Sequence, residues 1–297
     1  MPSRGSDSAP AVSIGLPVYN GGGYLAASIE SLLAQTSGDF ELIVSDNAST
    51  DGTEALVRAL AARDPRIRYE RLPENIGGVA NHMRVVDLAR GEFFMWASSD
   101  DLWKPTYVAR CLELLRADPG VVLAYAINAN IDEEGRHIRD VTPGPSLDGP
   151  VVERFGALID IYRTIEPFYG LMRREALLRA RRLARHPGFD RIVLAELGLM
   201  GRFRQVPEPL YQRRIHAQQS VNAYPSLRSR YLWINPALDP RFVWPHFSYA
   251  RQFAGAALRS APGLAARIGC LWQVLRWCNW HRSELWEDLG GTLRSGA

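Results

Sequence analysis

Two carboxylates stand side by side directly after an apolar segment of the sequence. Asp100 and Asp101 follow Phe93–Ala97, whose residues predict a buried strand. Adjacent carboxylates at the end of such a strand are costly unless something compensates them, and a divalent cation bridging a diphosphate would do so. The alternative is a helix N-terminus, because Asp favours that position and Pro105 follows at a suitable first turn.

Polar groups also follow two earlier strand-like segments. Asp46 comes directly after Phe40–Ser45, where a carboxylate can accept a hydrogen bond from a nucleobase or a ribose hydroxyl. The segment Ser49–Asp51 instead suits the capping of the helix that follows. The turn Asn20–Gly23 is rich in glycine but has no Lys or Arg nearby, so it lacks the usual phosphate-loop signature. It is compatible with a ligand close to the backbone or with a simple tight turn.

Strand-like and helix-like segments alternate as far as Ala126, and this alternation decides where the polar groups lie. The predicted strands are Ala11–Leu16, Phe40–Ser45, Ile67–Arg71, Phe93–Ala97 and Val121–Ala126, and the helices between them are Tyr24–Gln35, Thr53–Arg63, Gly78–Ala89 and Pro105–Ala117. Such alternation indicates βαβ units and a mainly parallel sheet. Ligands of these sheets bind at the carboxyl ends of the strands, so we expect the chemistry in the loops there.

Four motifs occur in a characteristic order along the chain. PVYN begins at Pro17, SDNASTDGT at Ser45, NIGG at Asn75 and SSDD at Ser98, and together they resemble the family 2 inverting glycosyltransferases. The resemblance covers roughly Val12–Ser220. It implies an α/β protein of the GT-A type, with a Rossmann-like, mixed but mainly parallel sheet flanked by helices. It also implies transfer of a hexosyl group from a nucleotide-diphosphate sugar to a hydroxyl acceptor, in cell envelope polysaccharide, glycolipid or glycoconjugate synthesis.

The same resemblance implies which residues hold the donor. The expected donor-binding residues are Pro17, Tyr19, Asn20, Asp46, Asn75, Gly77, Ser99, Asp100 and Arg214. Asp100 and His216 are the implied ligands of a divalent cation, Mg²⁺ or Mn²⁺, on the diphosphate. Ser98 stands where the family has the first acid of its Asp-x-Asp motif, so a hydroxyl replaces a carboxylate there.

A further acidic position supplies the expected general base. Asp190 occupies the place of the family's acidic pair, whose first member is Phe189 here. The resemblance implies that Asp190 takes the proton of the acceptor hydroxyl as that oxygen attacks the anomeric carbon. The alternative is that Asp190 caps the next helix. Glu196 is the fallback base, although it falls within the predicted helix Leu194–Gly201.

The last part of the chain differs in composition from the rest. From Leu227 to Ala297 there are nine Arg and four acidic residues, or +5, against a net charge of +3 for the whole chain. We divide the chain into a disordered N-terminus (1–10), a catalytic domain (11–225) and a helical extension (226–297). The extension has three open interpretations: a cap on the catalytic domain, a basic surface for an anionic membrane or a lipid-linked acceptor, or a homodimer contact. Nucleic acid is not expected, because the charge is modest.

Location and rival functions complete the expectations. The polar segment Met1–Pro10 has no apolar signal and the chain has no apolar run of about 20 residues, so we expect a cytoplasmic protein, or one peripheral to the inner membrane face. A sugar nucleotidyltransferase is one rival, and it should have a basic residue in the first Gly-rich loop. A non-catalytic nucleotide-sugar-binding protein is the other, because Ser98 and Phe189 replace acids.

Overall fold

A computed structural model describes most of the chain. The described residues are 9–142, 144, 146–160, 166–180, 186, 188–219, 222, 224, 226–234, 239 and 243–293, apart from the side chains of 166, 233 and 290–293. Residues 1–8 of the predicted N-terminal segment therefore lie outside the described residues. Parts of the region around the boundary predicted at residue 225 do so too.

One mixed sheet organises the described residues. Its strands are β1 (Val12–Val18), β2 (Phe40–Asp46), β3 (Ile67–Arg71), β4 (Phe93–Trp96), β5 (Leu102–Trp103), β6 (Val121–Ile131), β7 (His137–Asp140), β8 (Leu171–Arg173) and β9 (Arg202–Arg214). The order across the described sheet is β3-β2-β1-β4-β8-β6-β9-β5, and β7 pairs with β6. β1 is parallel to β2 and β4, β2 to β3 and β6 to β9, whereas β5, β7 and β8 run against their neighbours. The predicted mainly parallel sheet is confirmed.

Helices cover both faces of this sheet. They are α1 (Leu25–Leu33), α2 (Thr53–Ala61), α3 (Gly78–Leu88), α4 (Tyr107–Ala117), α5 (Val151–Leu158), α6 (Arg174–Ala180), α7 (Phe189–Met200), α8 (Leu227–Ile234), α9 (Pro245–Ser260), α10 (Gly263–Trp280) and α11 (Arg282–Leu293). Side chains alternate between the faces along each strand, so Leu42 and Val44 join one hydrophobic cluster and Ile43 the other. Strands buried on both faces are typical of parallel sheets under helices.

The C-terminal helices share a core with the sheet-bearing part of the chain. α9 packs against α7, and α10 packs against α5. Phe253 of α9 and Trp277 of α10 belong to the same buried cluster as Phe155 and Ile192. The predicted helical extension is therefore present, and it is built onto the helical layer on one face of the sheet. Among the described residues, no helix combines the length and the hydrophobicity that crossing a bilayer requires.

Several predicted element bounds differ from the structure. α7 begins at Phe189, five residues before the predicted start, and β6 continues to Ile131. α7 is buried on nearly all sides, so its apolar residues show no clear helical period from which a start could be read. The short strands β5, β7 and β8 were not predicted. The sequence also predicts helices over 153–163 and 173–185. Of these, residues 161–163 and 181–185 lie outside the described residues.

Candidate active site

Parallel strands bring three polar loops to one edge of the sheet. Val18, the last residue of β1, is paired with Asp46, the last residue of β2. Beside them the N–H of Ala97, just past the end of β4, donates to the carbonyl of Gly15 at 2.8 Å. The loops that follow β1, β2 and β4 therefore start side by side. Pro17 and Ser99 are partly buried at this edge, and Tyr19 is 50% exposed there.

The first two loops are bonded to each other. The N–H of Asn20 donates to Ser49 Oγ at 2.9 Å, and the N–H of Thr50 donates back to Asn20 Oδ1 at 2.9 Å. The N–H of Gly21 donates to Thr53 Oγ1 at 2.9 Å. Asn20 has a φ of 52°, a left-handed conformation that Asn tolerates better than most residues. The glycine-rich turn thus uses backbone donors to hold the second loop.

Asp46 lies beneath these loops and is fully buried. Its Oδ1 accepts the N–H of Ser49 at 2.8 Å, and its Oδ2 accepts the hydroxyl of Tyr69 at 2.6 Å. Burial and then this hydrogen bond raise the pKa of the Tyr69 phenol, so Tyr69 remains a donor. In this arrangement Asp46 organises the loop after β2. Direct contact of Asp46 with a nucleoside stays a prediction.

A third loop, between β3 and α3, is joined to the second through two asparagines. Asn75 Oδ1 accepts the side-chain amide of Asn47 and the N–H of Gly77, both at 2.8 Å. Asn47 Oδ1 accepts the N–H of Ile76 at 2.9 Å. Gly77 has a φ of 88°, which favours glycine, and it lies directly before α3. Asn75 and Gly77 therefore shape this edge, and their contact with a donor stays a prediction.

Asp100 contacts a histidine, His216, in the segment that follows β9. Its Oδ2 lies 2.9 Å from Nε2 of His216, and its Oδ1 accepts the hydroxyl of Ser98. The Asp100 side chain is 25% exposed, whereas that of His216 is 8% exposed. Within the described part of the chain, Nδ1 of His216 is buried without a hydrogen-bond partner. The ring of His216 packs 5.1 Å from that of Tyr24.

Asp100 and His216 fit a cation site in which phosphate oxygens of a bound substrate and water complete the coordination. The described residues contain no group of three or more His, Cys, Asp or Glu side chains suited to a metal ion. Mg²⁺ is usually held by one or two carboxylates together with substrate phosphates and water. A partly exposed carboxylate beside an imidazole, with the Ser98 hydroxyl adjacent, matches that pattern of few protein ligands.

Asp101 faces the opposite way from its neighbour and is buried. Its two oxygens accept the hydroxyl of Tyr211 and the N–H of Arg214, the latter at 2.9 Å. Burial, followed by repulsion from Asp100, raises the pKa of Asp101 to about 7. Asp101 therefore anchors the loop after β4 to β9, and it is Asp100 that faces the exposed side.

Arg214, at the end of β9, braces the same loop. Its Nε donates to the carbonyl of Asp100 at 2.9 Å, and its Nη1 donates to the carbonyls of Asp132 and Glu133 at 2.9 and 2.7 Å. The guanidinium also lies 4.6 Å from the centre of the Tyr24 ring. Arg214 is only 3% exposed. It acts here as a support for the Asp100 loop, and the expected contact with the diphosphate stays a prediction.

Asp190 lies in the first turn of α7, partly buried. Its Oδ1 accepts the N–H of Arg191 at 2.7 Å. Burial raises the pKa of Asp190, and the charge of Arg191 opposes that shift. Because α7 starts at Phe189, Asp190 belongs to the helix itself, and its carboxylate satisfies one of the free N–H groups there.

Asp100 and Asp190 both influence the pKa of Tyr169, a partly buried residue. Burial raises the pKa of Tyr169, and the charges of Asp101, Asp100 and Asp190 raise it further. The adjacent residue Phe189 also contacts the end of β4, since its ring centre lies 6.3 Å from that of Trp96. The start of α7 is therefore held close to the strand that leads to Asp100.

Phe189, which replaces the family's first acid, belongs to an aromatic cluster. Its ring centre lies 5.1 Å from that of His82 and 5.4 Å from that of Phe168. Phe168 stacks on Trp96 at 4.5 Å. Burial lowers the pKa of His82 to about 4, so this histidine is neutral at pH 7. The sequence interpretation missed Phe168 and Tyr169, whose only signal was the aromatic pair after Pro167.

The turn before α7 is held by the C-terminal extension. His186 contacts Ser248 Oγ at 2.8 Å and the hydroxyl of Tyr231, and its Nδ1 accepts the N–H of Gly188 at 3.0 Å. Gly188 packs so closely on Tyr249 that an added Cβ atom would lie 1.6 Å from the phenol oxygen. Residues of α8 and α9 therefore set the approach to Asp190, which sequence reasoning did not foresee.

Glu196, the fallback base, joins α7 to α9. Its Oε1 accepts the hydroxyl of Ser260 at 3.0 Å and lies 3.5 Å from Nη2 of Arg259. Glu196 is 2% exposed. These contacts assign it a structural position between two helices.

Comparison with known proteins shows a family match over more than half of the sequence. The family model of Glycosyl transferase family 2 matches residues 13–179. The chain is 37% identical over 130 residues to a chondroitin synthase of Escherichia coli, a match covering 43% of this chain and 19% of that protein. The chain thus spans about a fifth of the length of this relative.

Solved structures share the fold across nearly the whole chain. TarS 1–349 of S. aureus, in complex with UDP-GlcNAc, has a TM-score of 0.68 at 16% identity and covers 95% of this chain and 80% of its own. The mannosyltransferase PcManGT of Pyrobaculum calidifontis, in complex with GDP-Man and Mn²⁺, has a TM-score of 0.57 at 17% identity and covers 97% and 88%. This likeness confirms the predicted GT-A type of fold. Because the family match spans more than half of the chain, the protein belongs to glycosyl transferase family 2.

Proposed function

We propose that the protein is an inverting hexosyltransferase that uses a nucleoside-diphosphate sugar and a hydroxyl acceptor. The observation that carries the proposal is the Asp100–His216 pair at the exposed edge, whose facing atoms lie 2.9 Å apart. The start of α7, which bears Asp190, packs on the end of β4 beside this edge through Phe189 and Trp96. A single displacement needs one group at the leaving diphosphate and a base for the acceptor on the other side of the sugar. Membership of family 2 supports the same reaction class.

The donor lies, in this proposal, along the edge formed by the loops after β1, β2, β3 and β4. Tyr19 offers a half-exposed aromatic ring for the nucleobase. Asp46 and Arg214 act mainly through the loops that they hold. The remaining proposed donor contacts are Pro17, Asn20, Asn75, Gly77, Ser99 and Asp100.

Asp100 and His216 hold Mg²⁺ or Mn²⁺ in this proposal. When bound, such a cation supplies positive charge that stabilises the leaving diphosphate. A carboxylate oxygen and an imidazole nitrogen 2.9 Å apart at the exposed edge support this assignment. The Mn²⁺ in the similarly folded PcManGT complex agrees with it.

Asp190 acts on the acceptor. The acceptor oxygen attacks the anomeric carbon while the bond from that carbon to the diphosphate oxygen breaks, and the acceptor proton passes to the Asp190 carboxylate. The products are a glycoside of inverted configuration and the nucleoside diphosphate. Burial raises the pKa of Asp190, so its ionised carboxylate is a stronger base than an ordinary aspartate.

The acceptor that we propose belongs to cell envelope polysaccharide, glycolipid or glycoconjugate synthesis, either free or lipid-linked. Similarity to a chondroitin synthase supports a polysaccharide. We propose a cytoplasmic location, with the acceptor reached in solution or at the inner membrane face. We also propose that the loop 142–150, the region 160–168 and the C-terminal extension set specificity, and parts of each lie outside the described residues.

A donor panel tests this function. Purified protein is incubated with UDP-, GDP- and dTDP-sugars and simple acceptors, with and without EDTA, and the anomeric configuration of the product is read by NMR. We expect transfer with inversion that EDTA abolishes and Mn²⁺ restores. Product of retained configuration would refute the displacement, and activity unchanged by EDTA would refute the metal. Pyrophosphate release from a nucleoside triphosphate would favour a nucleotidyltransferase, and donor binding without turnover would favour a binding protein.

A further inference from the structure

One face of α10 carries large apolar side chains that the fold leaves uncovered. Leu264, Ile268, Trp272 and Leu275 recur at steps of three or four residues, which places them on one side of the helix. They are 75, 60, 64 and 62% exposed, respectively. We refer to these four residues as the apolar stripe. Isolated exposed apolar residues are ordinary, but a continuous row of them marks a binding surface.

The opposite side of α10 packs against the hydrophobic core. Cys270, Val274 and Trp277 are buried in the hydrophobic cluster that α10 shares with α5 and α9. Because the helix is anchored through this side, the apolar stripe points away from the protein. Its apolar character contributes nothing to the described core, so it needs another explanation.

The charged residues of α9 and of α10, the helix that carries the stripe, are all basic. The neighbouring helix α11 has acids, of which Asp288 lies 3.2 Å from His246 and Glu284 lies 3.5 Å from His281. α9 and α10 together contain Arg251, Arg259, Arg267 and Arg276 but no Asp or Glu. The guanidinium of Arg276 lies 4.6 Å from the centre of the Trp280 ring, and Trp280 is itself 58% exposed. Apolar and aromatic side chains beside the arginines of α10 match the apolar boundary and the anionic headgroups of a lipid surface.

We propose that the apolar stripe docks this protein onto an anionic bilayer, with α10 lying in the plane of the headgroups. The stripe enters the boundary between headgroups and acyl chains, and Arg267 and Arg276 of α10 face lipid phosphates. The proposal rests on the surface alone and does not depend on the transferase activity.

A second copy of the chain fits the surface less well. A two-fold contact through the stripe would bring α10 against α10 of its partner. Arg267 and Arg276 of the two copies would then approach each other, and α10 itself supplies no acid to pair with them. Like charges across an interface oppose association, whereas an anionic lipid surface attracts the same charges.

Vesicle sedimentation tests the proposal with the full chain. We expect the protein to sediment with vesicles of phosphatidylcholine and phosphatidylglycerol, much less with phosphatidylcholine alone, and less as salt increases. The double substitution Trp272→Glu and Leu275→Glu should lower the partition coefficient about tenfold or more. Arg276→Gln should lower it less, and mainly at low salt.

Matched controls separate the stripe from general effects. Ile138 lies on β7 and is 53% exposed, so Ile138→Glu adds one negative charge at a comparable apolar site elsewhere and should leave vesicle binding unchanged. Its direct comparison is the single substitution Leu275→Glu, which adds the same charge within the stripe. Arg63→Gln is the control for Arg276→Gln. Equal binding of the stripe variant and the parent, or no binding to anionic vesicles at low salt, would overturn the proposal. A concentration-dependent dimer in analytical ultracentrifugation that the stripe variant abolishes would overturn it in favour of self-association.

Discussion

His216 Nε2 lies 2.9 Å from Asp100 Oδ2, although 116 positions separate the two residues. The contact joins the loop after β4 to the segment that follows β9, and Tyr24 packs against the histidine ring from the first loop. Three distant parts of the chain thus meet at the exposed carboxylate. The arrangement makes the proposed cation site testable one residue at a time.

Replacing the histidine should weaken metal binding more than it weakens the fold. We expect His216→Ala to reduce Mn²⁺ affinity about 10–100-fold or more, because the imidazole is a ligand or the nearest partner of one. Calorimetric titration of Mn²⁺ in the presence of a nucleoside diphosphate measures this without relying on turnover. His137→Ala, at an exposed position on β7, is the matched control. An unchanged Mn²⁺ affinity in His216→Ala would remove the histidine from the site.

Two acidic residues of α7 can be compared directly as bases. Asp190→Asn should lower kcat by about 10²–10⁴-fold and leave donor affinity nearly intact, since only the proton acceptor is lost. Glu196→Gln should retain most activity but lower the melting temperature, because Glu196 bonds Ser260 between α7 and α9. Rates and thermal melts on both variants check this. The opposite pattern, with activity lost only in Glu196→Gln, would transfer the base to Glu196.

The pH profile should also report Asp190. A general base works only when ionised, so kcat falls as pH drops through its pKa, and burial raises that pKa above the ordinary value of 3.8. The acidic limb should therefore lie at higher pH than an unperturbed aspartate would give, and Asp190→Asn should lack it. The folded state holds the Asp190 proton more tightly than the unfolded state does. The protonated carboxyl therefore stabilises the fold below the unfolded pKa, and this contribution is lost as pH rises through the folded pKa. Melting temperatures across that window should fall in the parent and stay flatter in the variant.

The strand and loop positions were largely predictable from the sequence. Short apolar strands and amphipathic helices alternate from Ala11 to Ala126, and β3 occupies Ile67–Arg71 as predicted. A loop after a central parallel strand must lie at the sheet edge, so the position of Asp100 followed from the strand before it. The local sequence pattern therefore predicted where the loops after β1, β2, β3 and β4 lie.

The contacts around Asp190 were not predictable in the same way. His186 contacts Ser248, although 62 positions separate them in the sequence. The residues around either one give no indication of this contact. β8 has three residues, which is too short to show a period. The basic side chain of Arg214 indicated a contact with the ligand. In the structure its guanidinium instead donates to backbone carbonyls and packs on the Tyr24 ring. Such features arise from tertiary packing, which a single sequence does not encode locally.

Asp46 should act on the donor through the loop that it holds. Asp46→Asn exchanges an acceptor for a donor at a buried position and should cost about 1–3 kcal/mol of unfolding free energy as well as donor affinity. Tyr69→Phe removes only the hydroxyl on Asp46 Oδ2 and should give a smaller loss of both. Chemical denaturation and nucleotide titration measure the two effects, with Asp140→Asn as an exposed control. Lost affinity at full stability in Asp46→Asn would instead indicate direct contact with the nucleoside.

The contact between Gly188 and Tyr249 should control both stability and the placement of Asp190. A Cβ atom at position 188 would lie 1.6 Å from the Tyr249 oxygen, and Tyr249 is 5% exposed, so its ring has little room to yield. Gly188→Ala should therefore cost about 1–3 kcal/mol and displace the turn that leads into α7. We expect kcat to fall more than donor affinity, because the donor edge lies on other loops. Gly38→Ala is the control, since an added Cβ there meets no atom within 4 Å. If Gly188→Ala melted and turned over like Gly38→Ala, the extension would have no part in positioning the base.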